Sequence, residues 1–249
     1  MKVRFLLLSV ITVSAIVGIF LLPAIPQDPA YHQFVDTRVL FAIPNFWNVI
    51  SNLPFFVVGL AGLLLLRKGV PQGGLPEMKN AYYLFFIGVF LTTFGSSYYH
   101  WTPANHTLVW DRLPMTLGFM GLFAAMVAEF LSVTAGKRLL WPLLVVGVLS
   151  VGYWHLTEQV GAGDLRLYAL VQFLPMVLIP LMLSLFPGRF RGKRYLWWVI
   201  AWYGLSKLLE HFDQGIFLAT GISGHSLKHL TAAGAATSFW LALRYRRAP

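Results

Sequence analysis

The sequence contains no cysteine, few charges and very few acids. With no Cys among its 249 residues, disulfides, thiol nucleophiles and thiolate-held metals are excluded, and any metal site must use His, Asp or Glu. Charged residues make up only 11% of the chain, against a soluble norm of about 25%. Asp and Glu together number nine, so any carboxylate chemistry has few candidates. There is no low-complexity segment and no solenoid-like repeat. What fills the chain is apolar: 57% of residues are hydrophobic. A soluble domain could not hydrate such a surface, and one membrane domain is the simplest organisation.

Apolar stretches close to the roughly 20 residues needed to span a bilayer recur along the whole chain. They read as Phe5–Ile25, Phe46–Leu66, Asn80–His100, Leu113–Val133, Leu139–Leu156, Leu165–Phe186, Tyr195–Ala219 and His225–Leu243. The fold class expected is therefore all-α integral membrane. The uncharged run from Phe5 to Gln27 exceeds the roughly 7–15 residues of a signal h-region, so residues 1–27 read as a retained helix or signal anchor. Residues 28–45 form the longest connection, an outer-face loop, and residues 46–249 the remaining seven spans. Pro142, Pro175 and Pro180 lie inside spans, where neighbouring helices can satisfy the freed carbonyls.

The net charge of +10 is a topology signal first. One set of span ends holds Lys2, Arg4, Arg67, Lys68, Lys79, Lys137, Arg138, Arg189, Arg191, Lys193, Arg194, Arg244, Arg246 and Arg247, which is 14 of the 19 basic residues. The alternation holds at every crossing, and the positive-inside rule puts both termini in the cytoplasm. Nucleic-acid binding would want a basic stripe on a soluble scaffold, and it is not expected. Tryptophans and tyrosines near span ends, such as Trp101, Trp110 and Trp141, are read as aromatic belts.

Ionisable groups inside a membrane are costly and usually functional. Ser96 and His100 are four apart at the outer end of the third span, hence on one helical face. Asp111 opens the fourth span on the same side. His225 and His229, again four apart, open the eighth. Three histidines with an open fourth position suit catalytic zinc, which lowers the pKa of a bound water and polarises a carbonyl. Asp111 could accept a proton from water or hold a ligand histidine, and Ser96 could donate to an oxyanion or orient the water. Each residue also has a plainer reading. The histidines could be interfacial, Ser96 a packing residue, and Asp111 a helix cap or a partner for Arg112. Lys207, Glu210, His211 and Asp213 crowd the seventh span, and an intramembrane ion pair is the reading preferred for them. His32, His106 and His155 show no partner pattern and read as interfacial.

The pattern Gly95-Ser96-x-x-Tyr99-His100, Asp111 eleven residues later, Leu113-Pro114-Met115, and the late His225-x-x-x-His229 resembles the alkaline ceramidase family. That family sits within a wider group of membrane hydrolases that includes adiponectin-type receptors. The stretch Asn45–Leu53 resembles the segment that opens the family's first core helix. The resemblance runs from about Asp36 to Leu243 and implies a seven-helix ceramidase-like core, here with one extra N-terminal transmembrane helix. It implies zinc on His100, His225 and His229, Asp111 as proton acceptor, Ser96 as transition-state stabiliser, and hydrolysis of the amide of ceramide or a related N-acyl lipid. Two departures matter. Asn45 stands where the family has Glu, and Tyr31 and Phe34 stand where acids are expected, with only Asp36 matching, so calcium is doubtful. The added first span points to a separate, bacterial branch whose lipid need not be a ceramide. The site would then face the periplasm from the inner membrane.

The competing readings are an adiponectin-receptor-like receptor or binding protein with a structural zinc, and a transporter. Short termini weaken the first, and the lack of inverted repeats weakens the second. The eight-span reading makes a direct prediction. Reporters fused at Arg247 and within the 161–163 loop should report opposite sides of the membrane. The same side from both would break the eight-span reading.

Overall fold

The computed structural model describes residues 2–249. Among the described residues the regular structure is helical, with only isolated bridges between Leu40 and Ile43 and between Arg191 and Arg247. The helices are α1 (Lys2–Leu21), α2 (Phe46–Ile50), α3 (Leu53–Arg67), α4 (Lys79–Trp101), α5 (Asn105–Phe130), α6 (Val133–Gln159), α7 (Arg166–Leu185), α8 (Arg194–His211), α9 (Asp213–Thr220) and α10 (Gly224–Tyr245). Six units are long and apolar enough to cross a membrane: α1, α2 with α3, α4 with the short turn before it, α5, α6 and α7. The protein is thus a multi-pass, all-α membrane protein. α8 carries Arg194, Lys207 and Glu210, and α10 buries His225, Ser226, His229 and Ser238. These two helices are the most polar of the long ones, and they frame the site described below.

Three expected boundaries need correction. The seventh span, expected as Tyr195–Ala219, breaks at Phe212 into α8 and α9. Asp213 turns to the start of α10 there, accepting from the Ser223 hydroxyl and the His225 N–H. The fourth span, expected from Leu113, begins at Asn105. Asp111 therefore lies inside α5 and does not open it. A one-sided cap explains the early start: the Thr107 hydroxyl accepts from the Ala104 N–H and donates to the Thr102 carbonyl. Pro114 marks the helix interior here. The fifth span, expected as Leu139–Leu156, is the longer α6, begun by a Ser132 N-cap.

The two ends of the bundle are held differently. At the end that gathers the basic residues, Arg246 is buried and donates from both Nη atoms to Glu129 at 2.7 and 2.9 Å, and to the Gly73 carbonyl at 3.0 Å. This ties the end of α10 to the end of α5 and to the α3–α4 loop. At the opposite end, the segment after α1 crosses the helix tips. Leu165 N–H donates to Ile25 O at 2.8 Å, and Arg166 donates to Leu22 O while forking onto Asp164. That fork holds the Asp164 carboxyl down at about 2. α1 itself lies against α7 and buries only Leu8, so most of its surface faces outward.

Breaking the Glu129–Arg246 pair from one side leaves an uncompensated buried charge, because the side chains are only 2% and 1% exposed. Glu129→Gln should destabilise the protein by about 3–5 kcal/mol, read as a lowered melting temperature in detergent. Replacing both partners by Leu or Met should cost far less. A single variant as stable as the wild type would show that the pair is not holding this end together.

Candidate metal centre and adjoining cavity

The site forms where the end of α4 meets the start of α10. Glycines allow the close approach. A Cβ on Gly95 would overlap the Trp110 carbonyl of α5. That carbonyl lacks an intrahelical N–H partner because Pro114 stands four residues on. A Cβ on Gly224 would overlap the Leu209 carbonyl of α8. Small residues at such contacts let helix backbones approach in a bilayer, where no hydrophobic force drives them together. The glycine beside Ser96 and the glycine beside His225 therefore set the helix spacing on which the site depends.

α10 begins with a Ser223 N-cap that accepts from the N–H groups of His225 and Ser226. His225 and His229 then project from successive turns. His100 comes from the last turn of α4. All three are buried, and one ligand atom from each lies within 4.8 Å of the others. His100 Nε2 stands 3.3 Å from Nε2 of His229 and 3.3 Å from Nε2 of His225. Zinc–nitrogen bonds of about 2.0–2.1 Å at tetrahedral angles would put nitrogens about 3.3–3.4 Å apart. The donor set and its spacing thus fit a divalent metal such as zinc.

The surroundings support lone pairs that point inward. The Ser51 hydroxyl donates to the Asn48 carbonyl at 3.2 Å. Its oxygen is then free to accept from His229 Nδ1 at 2.7 Å, which leaves Nε2 unprotonated for a cation. Asn48 also accepts from the Ser226 hydroxyl at 2.8 Å, and Asn45 Nδ2 caps the His100 carbonyl at 2.8 Å. Asn45 has φ of 48°, a left-handed conformation that Asn tolerates better than most residues. The whole Asn45–Ser51 stretch therefore buttresses the histidines. Its sequence pattern was legible, but nothing in it said that Ser51 would meet a residue 178 positions away.

A cavity of about 720 Å³ opens beside this cluster, within the roughly 300–1,000 Å³ of small-molecule sites. Ser96, Asp111 and His229 lie on its wall, apolar side chains such as Phe85, Leu122, Ile179 and Val199 make up most of it, and Arg112, Lys207, Glu210 and Lys228 also border it. The structure thus gathers all five candidate residues: the three histidines as one cluster, with Ser96 and Asp111 on the adjoining wall. Asp111 makes no ion pair with Arg112 among the described residues. Nor does it hold His229, whose Nδ1 is taken by Ser51.

Several readings of single residues change. Glu210 binds Lys207 at 2.8 Å, as the helical spacing suggested, but also Lys228 of α10 at 2.5 Å. Asp213 caps α10. His211 lines the cavity. His32 is not simply interfacial: its ring nitrogens meet the Tyr99 hydroxyl at 3.0 Å and Asn105 Oδ1 at 2.9 Å, which pins the loop after α1 across the helix tips. Phe34 covers the cluster, with its ring centroid 4.7 Å from His100 and 5.2 Å from His225. Asp36, the acid that matched the family's calcium segment, is buried and directs both carboxylate oxygens at Arg38. Hydrogen bonds from the Arg38 guanidinium hold this carboxyl below the usual range.

The chain matches the ceramidase family model over residues 36–186, and it belongs to that family. The match begins at Asp36, takes in Ser96, His100 and Asp111, and stops before α8 and α10. No curated protein matches the chain. Membership supports a ceramidase-type hydrolase set in a membrane, for which the family implies a lipid amide as substrate.

The Ser51–His229 bond gives a test of the centre that needs no substrate. Removing such an outer partner typically lowers metal affinity by about 10–100-fold. Ser51→Ala should do so in a competition titration with a zinc chelator, while the helical content is kept. Unchanged affinity would show that Ser51 does not orient a ligand.

Proposed function

We propose that this protein is a zinc-dependent hydrolase that cleaves the amide bond of ceramide or a related N-acyl lipid and releases a fatty acid. The observation that carries the reading is the shared wall: His229 of a three-histidine cluster with metal-like spacing, the Asp111 carboxylate and the Ser96 hydroxyl all border one largely apolar cavity. His100, His225 and His229 would hold the metal. When bound there, zinc makes water more acidic and polarises a carbonyl.

The protein's own groups do the rest. The apolar wall takes the acyl chain and excludes water from it. Asp111 accepts the proton of the attacking water and returns it to the nitrogen as the C–N bond breaks, so that an amide and one water become a carboxylic acid and an amine. Ser96 donates to the carbonyl oxygen as it gains negative charge. Charge placement supports both termini on the cytoplasmic side and the site near the outer face, which in a bacterial inner membrane is the periplasmic one.

Asp111→Asn keeps the size of the side chain and loses its basicity. It should retain zinc and fold normally, with turnover reduced by at least roughly a hundredfold, the scale of a positioned acid–base group. Ser96→Ala should also keep zinc and lose about 10²–10³-fold, as for one oxyanion donor. Zinc content and fatty-acid release measured on the same preparation decide the matter. A zinc-loaded, fully active Asp111→Asn protein would remove Asp111 from the mechanism. Zinc without turnover of any N-acyl lipid by the wild type would favour the receptor-like alternative.

A further inference from the structure

The residue after Asp111 is a buried cation that the hydrolytic mechanism does not use. Arg112 is only 6% exposed. Other buried or half-buried cations find their acceptors: Arg246 meets Glu129, Lys228 meets Glu210, Arg166 meets Asp164, and Lys193 donates to the Leu183 and Phe186 carbonyls. Arg112 meets none among the described residues. A guanidinium carries five N–H donors. Here one acceptor answers them, Gln27 Oε1 at 2.7 Å, and the buried Nη1 has no partner. Aromatic rings hold the group in place: its central carbon lies 4.1 Å from the Trp154 ring centroid, 4.8 Å from Tyr168 and 5.9 Å from Tyr31. Cation–π contact offsets part of the desolvation but leaves the in-plane donors unanswered. Arg112 also lines the same cavity as Ser96 and Asp111, beside Gln27 and Tyr31.

We infer that Arg112 is a specificity-determining residue that receives an anionic group, a carboxylate, sulfonate or phosphate, on the amine half of the N-acyl lipid. The inference rests on the hydrolase reading for the position of the scissile amide. Asp111 and Arg112 border the same cavity from different faces of α5, so an amide whose nitrogen faces Asp111 has room to extend its amine-half substituents along the wall toward Arg112. An anion there supplies the acceptors that the guanidinium lacks, in the planar geometry that arginine favours. A neutral headgroup leaves them unmatched, and a site built for a charged partner discriminates against a substrate that lacks it. The anionic group is only bound; the bond broken is still the amide.

Two amides of equal acyl chain, N-palmitoyl taurine and N-palmitoyl ethanolamine, differ chiefly in a sulfonate against a hydroxyl. The wild type should favour the taurine amide in kcat/KM by at least roughly tenfold, the scale of a hydrogen bond to a charged group. Arg112→Met, which keeps an apolar stem under the rings, should abolish that preference. Arg112→Lys, which keeps charge but not the planar fork, should restore part of it. No preference in the wild type, or equal losses on both amides in Arg112→Met, would overturn the inference. A second measurement stands apart from turnover: titration with hexadecyl sulfonate and with hexadecanol, followed by tryptophan fluorescence, before and after metal chelation. The sulfonate should bind wild type at least about tenfold more tightly than Arg112→Met, and chelation should not remove the difference. If neither amide is cleaved yet the sulfonate still distinguishes the two proteins, the hydrolase reading fails and the anion site stands. Equal binding by both proteins overturns the anion site whatever the turnover.

Discussion

A polar side chain inside a bilayer has only other protein groups to answer it, and that constraint organises this molecule. Hydrocarbon cannot answer a histidine, a carboxylate or a lysine, so most of them find a partner within the bundle. The histidines face one another, Glu210 answers two lysines, Glu129 answers Arg246, and Asn48 and Ser51 answer α10. Apart from the i,i+3 contact of Lys207 with Glu210, these partnerships join segments far apart in the chain. The polar groups that a membrane disfavours are therefore also the ones that hold α10 against α2, α4, α5 and α8.

Close packing makes those partnerships reachable. Gly95 lets α4 approach the Trp110 carbonyl of α5, and Gly224 lets α10 begin against α8. Pro114 frees that same carbonyl of its usual partner. In the motif around Ser96 and His100, the glycine sets how near two helices lie, the serine lines the cavity and the histidine joins the cluster. Larger residues at Gly95 or Gly224 would act on the chemistry by moving whole helices.

The loop after α1 gives the site its cover. Phe34 lies on two of the histidines, Tyr31 lines the cavity, and His32 anchors the segment to α4 and α5 through Tyr99 and Asn105. Asp36 and Arg38 lock to each other, and Arg38 reaches the Gly221 carbonyl just before α10. An ion pair thus occupies the one acid that this loop shares with the family's calcium segment.

The sequence by itself determined that the protein is helical and membrane-embedded, because runs of apolar residues near bilayer length can be satisfied only by helices. It also marked Ser96 with His100 and His225 with His229, because i,i+4 spacing places residue pairs on one face without knowledge of the fold, and Asp111, because it stands at the same end of the next span. Its helix boundaries were less secure. The break at Phe212 and the early start at Asn105 are set by caps, and the acceptor Asp213 serves a helix eleven residues further on. What only the tertiary structure decided is which groups are neighbours across helices. Ser51 on His229, Lys228 on Glu210, Phe34 over the cluster and Arg112 among aromatic rings without an acid have no local signature. Periodicity carries information over one or two turns of helix, whereas these contacts depend on how near separate helices can come, and that distance is set by glycines, caps and packing on both sides at once.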